Sequence, residues 1–167
     1  MKRILSLITV FALLLTSCEG DPGPPGFDGL DGLDGEIIVS SAFEIEVDFN
    51  TANNFEFIEP YGFTVLPSDV TLVYILWDTS NGQDIWRLMP QTVTFDDGSL
   101  VYNFDFTQED VRFFLDGTTD FNILDDVWTQ GQVFRVVVVP ADNIDGIDVS
   151  NINAVLNVNN IQSIDFR

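Results

Sequence analysis

The sequence contains no histidine, lysine only at Lys2, and one cysteine, Cys18. These shortages remove whole classes of chemistry. Without histidine there is no imidazole general base, no Ser–His or Cys–His nucleophile pair and no histidine metal ligand. Without a lysine in the body of the chain there is no Schiff base and no phosphate-clamping ammonium. A lone cysteine makes no internal disulfide. Bases are scarce overall: Lys and Arg total 6 against 27 Asp and Glu, a formal charge of −21. Nucleic acid, which is held through Lys and Arg on phosphates, is excluded as a partner. So is anionic lipid recognised through a polybasic patch.

What is present argues for a folded body. The 167 residues are 46% hydrophobic and 13% aromatic, which is against disorder for most of the chain despite its acidity. The length suits one domain.

The N-terminus reads as an address. Met1, Lys2 and Arg3 form a short positive region, and residues 4–15 are apolar. That length suits a signal peptide and is too short for a stable bilayer span. The segment ends in Leu15, Thr16, Ser17 and Cys18. Apolar, small, small, cysteine resembles the lipobox of bacterial lipoproteins, and the chain's one cysteine stands where that box requires it. The resemblance implies cleavage of residues 1–17, acylation of Cys18 and a lipid anchor that does not span the membrane. Loss of Lys2 and Arg3 would leave four arginines against 27 acids, a formal −23. In that family Asp directly after the cysteine holds the protein at the inner membrane. Here Glu19 follows, which implies the outer membrane. The acidic residues after Cys18 are similar to surface-export signals, so the cell surface is expected over the periplasmic face.

Residues 18–36 continue with glycine at positions 20, 23, 26, 29, 32 and 35. This is the Gly-X-Y period of collagen, where only glycine fits the crowded axis of three chains. The chain thereby resembles the small collagen-like-repeat lipoproteins of Gram-negative bacteria. A triple helix is nonetheless the less expected state. The tract carries Glu19, Asp21, Asp28, Asp31, Asp34 and Glu36 and no base, so three parallel copies would set like charges side by side. A monomeric, extended stalk of about 50 Å, at roughly 3.1 Å per residue, is expected over a homotrimer.

Residues 37–167 read as one all-β domain. Phe43, Ile45, Val47 and Phe49 alternate with Glu44, Glu46 and Asp48, giving one buried and one wet face. Residues 70–77 and 133–139 are fuller apolar runs and read as central strands covered on both faces. Asn81-Gly82 and Asp97-Gly98 are turn dipeptides. Residues 84–95 form one further run with a bend or edge at Pro90. Leu100, Tyr102, Phe104 and Phe106 share a face. Residues 111–115 are a short strand, with a helical turn capped by Thr107 and Asp110 as the alternative. Trp128 sits in a longer excursion as a plug. A short helix is expected over 150–160 with Ser150 as its N-cap, then a closing strand over 161–166. About seven or eight strands with frequent turns predict a single β-sandwich, of which the immunoglobulin type is one form, with a closed β-barrel as the alternative.

Three kinds of site remain open. Paired carboxylates could hydrolyse a glycoside, but no linear signature marks a pair, and Asp78-Thr79-Ser80 and Asp116-Gly117-Thr118 miss the aspartic-protease triplet. Calcium takes several carboxylate and carbonyl oxygens. The leading loop for it is Asp142, Asn143, Asp145 and Asp148; lesser candidates are Asp96 with Asp97, residues 116–120, and Asp125 with Asp126. A stacking platform for sugar would draw on Trp77, Trp86, Trp128, Tyr61, Tyr74 and Tyr102, with Arg87 beside Trp86 as a ligand-binding arginine. The expected function is a non-enzymatic, membrane-anchored surface lipoprotein displaying an interaction or structural domain. A glycan-binding or calcium-linked adhesion module is the alternative, and a carboxylate hydrolase comes last. No cofactor is implied beyond possible calcium, and the protein or glycan partner is left open.

Overall fold

Strand formation follows the alternation of apolar and acidic residues. In the computed structural model, which describes residues 41–167, Ser41–Val47 forms β1 with Phe43, Ile45 and Val47 buried and Glu46 exposed. The remaining strands are β2 (Glu56–Pro60), β3 (Asp69–Ser80), β4 (Gln83–Leu88), β5 (Gln91–Phe95), β6 (Gly98–Phe106), β7 (Asp110–Gly117), β8 (Gln132–Pro140) and β9 (Asp165–Phe166). Asp126–Thr129 makes one helical turn, α1, and Ile152–Val158 a short helix, α2.

The strands form two open sheets, ordered β4-β3-β8-β1-β9 and β2-β7-β6-β5. The expected sandwich is present, and the closed barrel is not, since each sheet keeps two edges. The order also departs from the immunoglobulin type, in which the first strand of one sheet lies beside the second. Here β1 pairs with β8 and β2 with β7, both antiparallel. Between the sheets lie Phe43, Ile45, Val73, Leu100, Phe113, Phe134 and Val136, all buried. Phe134 of β8 meets Phe113 of β7 at 4.7 Å between ring centroids, and it meets Phe49 edge-on at 6.1 Å.

β3 and β8 bear apolar side chains on both faces, so they need a second cover. Tyr74, Val137 and Val139 point away from the inter-sheet core into a separate cluster with Ile152 and Val155 of α2. Ile144, Ile147 and Val149 complete that cover. The Tyr74 hydroxyl donates to the Val149 carbonyl at 2.6 Å and fastens it.

Several local expectations change. The run over 84–95 is two strands, because Pro90 lacks the N–H that a continuing ladder needs, and β4 and β5 lie in different sheets. This split, with the two-residue β9, brings the strands to nine among the described residues. Thr107 Oγ1 accepts from the N–H groups of Glu109 and Asp110 at 3.0 and 3.2 Å, but the turn it caps leads into β7 and not into a helix. The N-cap of α2 is Asn151, whose side chain accepts from Ala154 N at 3.2 Å. Ser150 is bound instead to Asp148. Of residues 161–166 only Asp165 and Phe166 pair, parallel to β1. Phe106 does not share the burial of Leu100 and Tyr102: it stands 46% exposed.

Arg167 clips the β1 side of the sandwich. Its N–H donates to Glu44 O at 2.9 Å. Its guanidinium reaches Glu59 Oε1, Pro60 O and Tyr61 O at 3.2, 3.0 and 2.7 Å and covers the Phe43 ring at 3.9 Å. Two outcomes are expected in denaturant titrations. Phe134→Ala should cost about 3–5 kcal/mol through lost burial and a cavity between the sheets. Arg167→Ala should cost about 1–2 kcal/mol by freeing charge-assisted bonds to two carbonyls and a carboxylate.

Candidate functional site

A cleft of about 300 Å³ opens where a bulge in β3 faces the segment before β8. The register between β3 and β4 shifts between Leu76 and Asp78, leaving Trp77 unpaired. Trp77 follows Val73 and Ile75 on the inner face and is half-buried against the core. Trp128, on α1, supplies the second indole. Its carbonyl accepts from the Tyr102 hydroxyl at 2.7 Å, and its ring meets Phe95 edge-on at 5.4 Å. The segment after α1 is bolted down. Gln132 Nε2 donates to Val127 O and Gln130 O at 3.0 and 2.9 Å. Gly131, at φ +61, donates its N–H to Asp48 Oδ1 at 2.8 Å. Gln130 Nε2 donates to Phe49 O at 3.0 Å. None of the residues lining this cleft is an acid.

A second cleft of about 300 Å³ lies on the other side of Gln130, between Phe55, Phe121, Asn50, Asn122 and Asp126. Phe55 and Phe121 meet at 5.4 Å. Asp126 is its only acid, so neither cleft presents the two carboxylates that glycoside hydrolysis uses.

The expected stacking platform is dispersed. Tyr61, Tyr74 and Tyr102 are buried at 0, 0 and 2% exposure. Each Trp is half-buried with a contact of its own: Trp77 lies under Arg87 at 4.1 Å, Trp86 under Arg135 at 4.0 Å, and Trp128 against Phe95. Arg87 follows Trp86 in sequence but stands on the opposite face of β4, so its ring partner is Trp77. Alternation along β3 brings Trp77 to the inner face, but its place beside Trp128 depends on how α1 packs against the sheets, which no local signal in the sequence marks.

The leading calcium loop has other work. Asn143 Nδ2 donates to Asn159 Oδ1 at 2.9 Å, and Asp148 Oδ1 accepts from Ser150 Oγ and N at 2.6 and 3.0 Å. The Ser150 hydroxyl first, then its N–H, hold the Asp148 carboxyl below its ordinary range. Asp142 and Asp145 are exposed, while Ile144 and Ile147 between them cover β3 and β8. Asp97 accepts from Thr119 Oγ1 at 2.9 Å, Asp116 from Gly117 N at 2.7 Å, and Asp120 from Asn122 Nδ2 and N at 2.7 and 3.0 Å. Asp125 stands at the N-cap position of α1 with no side-chain cap bond. No group of three or more acids among the described residues is arranged to hold a metal ion. Cys18 lies outside the described residues.

The chain matches no family model, no curated protein and no solved structure.

Two solution outcomes follow. Calcium and magnesium at equal ionic strength should shift Tm equally; a shift specific to calcium would identify the loop as a binding site. The pH profile of stability should be flat between the carboxylate and tyrosine ranges, about pH 6 to 9, because no histidine and no lysine of the domain titrates there. Burial pushes the Tyr74 hydroxyl up to about 12, helped by the charge of Asp148, and burial also raises Tyr102. Their folded pKa values lie above the unfolded one, so their contribution is complete below about pH 10 and is lost as pH rises further. Thermal melts from pH 5 to 12 read this directly.

Proposed function

We propose that this chain is a lipid-anchored envelope protein whose acidic tether carries a non-enzymatic β-sandwich interaction domain at the outer membrane, facing the cell surface. The observation that carries the reading is the position of the only cysteine, Cys18, at the end of the apolar segment and small pair that a lipobox needs. The Gly-X-Y tract supports it as a spacer between lipid and domain. The domain adds a physical reason: the two clefts described above are lined by indole, phenyl and amide groups, which suit binding. The charge left after cleavage, −23 for four arginines against 27 acids, keeps such a domain soluble and off an anionic membrane surface.

The test is metabolic labelling in a Gram-negative host with an alkyne fatty acid. The wild-type chain is expected to carry the label and to sediment with outer membranes. Cys18→Ala should lose the label. Label retained on Cys18→Ala, or an unlabelled soluble wild-type chain, would overturn the anchor. Cleavage of the domain by protease added to intact cells is the expected sign of surface display, and protection would place it on the periplasmic face.

A further inference from the structure

We infer that the cleft between Phe55 and Phe121 binds a primary ammonium carried on a short apolar stem, with Asp126, Asn122 and Gln130 as the groups that meet the cation. The inference concerns the domain alone and does not depend on acylation of Cys18.

The first observation is an imbalance of hydrogen-bonding groups. Three side-chain amides line this cleft, and a partner of fixed polarity sets the direction of each. Gln130 Nε2 donates to Phe49 O at 3.0 Å, and Asn122 Nδ2 donates to Asp120 Oδ1 at 2.7 Å. The amide oxygens of Gln130 and Asn122 are therefore the ends left over. Asn50 is set the other way, its Oδ1 accepting from Ala52 N and Asn53 N at 2.9 and 3.2 Å. Among the described residues, no donor reaches Gln130 Oε1, Asn122 Oδ1 or the Asp126 carboxylate. Against these acceptors the three amides leave one donating group, Asn50 Nδ2. Such a lining suits a ligand that gives hydrogen bonds. A primary ammonium brings three donors and the charge that Asp126 answers.

The second observation is the layering of the cleft. Phe49 is buried, and Phe55, Phe121 and Leu124 are half-buried, whereas Asn122 and Asp126 are exposed. The floor is apolar and the rim polar. An alkyl stem covers such a floor while its cation stays at the rim, where little hydration is lost. Phenyl rings add a weak attraction for the cation. A volume near 300 Å³ is at the small end for ligand sites, with room for a stem of a few carbons. Phe55 is held at this place against its backbone preference. Its φ is +56, in a region that bulky side chains rarely adopt. Its N–H donates to Asn50 O and Asn53 Oδ1 at 2.9 and 3.2 Å, and its carbonyl accepts from Leu115 N at 3.0 Å. Strain of this kind gathers where a structure receives a ligand.

The third observation is the balance of charge. No arginine lines this cleft. Residues 37–167 carry 21 acids, four arginines and no lysine. The domain thus holds no ammonium of its own to fill the site, and an occupant comes from outside. Asp120 and Asp125 lie on the same segment as Asp126 and deepen the negative potential there, which draws a cation and repels an anion. An ammonium on an apolar stem has two sources: a free small amine, or the lysine side chain of another protein.

Three probes separate the parts of the proposal. n-Butylamine is the stem and ammonium alone, n-butanol keeps the stem without the charge, and Nα-acetyl-lysine methylamide carries the same ammonium on a peptide backbone. Each is titrated into the isotope-labelled, lipid-bearing chain in detergent at fixed ionic strength. The side-chain amide signals of Asn50, Asn122 and Gln130 are followed by NMR. Butylamine is expected to shift them saturably and to bind more tightly than butanol. Asp126→Asn should weaken butylamine about fivefold, the upper worth of an exposed ion pair, and leave butanol unchanged. Asp125→Asn removes an equal charge from an exposed side chain that does not line the cleft, and should change neither. Both variants should keep the wild-type Tm. Tighter binding of the lysine derivative than of butylamine assigns the site to a protein's lysine, and weaker binding assigns it to a free amine. The inference is overturned by no saturable shift, by equal affinity for butylamine and butanol, by a butylamine affinity indifferent to Asp126→Asn, or by an equal loss in Asp125→Asn. Failure here leaves the lipid label on Cys18 untouched, so the two readings fall separately.

Discussion

The structure turns on two strands that cannot face water on either side. β3 and β8 lie adjacent at the centre of their sheet, and their side chains are apolar above and below. One face is satisfied by the second sheet, through Phe134 against Phe113. The other has no third sheet to receive it. The chain after β8 folds back and lays Ile144, Ile147, Val149 and α2 over Val137, Val139 and Tyr74. A segment rich in Asp, Asn and Gly thus becomes structural, with its apolar residues facing in and its acids left at the surface.

Scarcity of cations shapes the rest. Four arginines serve 21 acids in residues 37–167, so most acids are balanced only by water and salt. Each arginine is also placed over a ring: Arg87 over Trp77, Arg112 over Phe114, Arg135 over Trp86 and Arg167 over Phe43. A guanidinium is weakly hydrated on its faces and strongly donating at its rim, so it can cover an aromatic and bind oxygen at once. Arg135 spends its rim on Glu44 across the sheet, and Arg167 spends its rim joining one sheet to the other.

The sequence reveals what period and composition can carry. The alternation in β1, the unbroken apolar runs of β3 and β8, and the turn dipeptides at Asn81 and Asp97 predict strands and a sandwich, which the fold contains. Strand order is not legible, because β1 finding β8 depends on packing across some ninety intervening residues, and no local signal encodes it. The break at Pro90 was visible as a bend but not as a change of sheet. The candidate site was legible in its parts only. Trp77, Trp128 and Arg87 stand out as rare residue types, but Arg87 reaches Trp77 through the faces they take on β4 and β3, and Trp128 joins Trp77 only through the packing of α1. The Asp-rich loop is ambiguous in sequence for a physical reason: turns and metal loops draw on the same residues.

The pairing of β1 with β8 also sets an order of events. Hairpin β3–β4 and the β5–β6–β7 meander close over short spans, but residues 41–47 have no permanent partner until residues 132–138 have been delivered. Loop closure over that distance is slow relative to local pairing. A chain emerging from the ribosome can therefore form its hairpins but cannot close β1 into its sheet until β8 is made. The two sheets are thus assembled from pieces that exist before their frame does, and the sandwich locks only once residues 132–138 have been made.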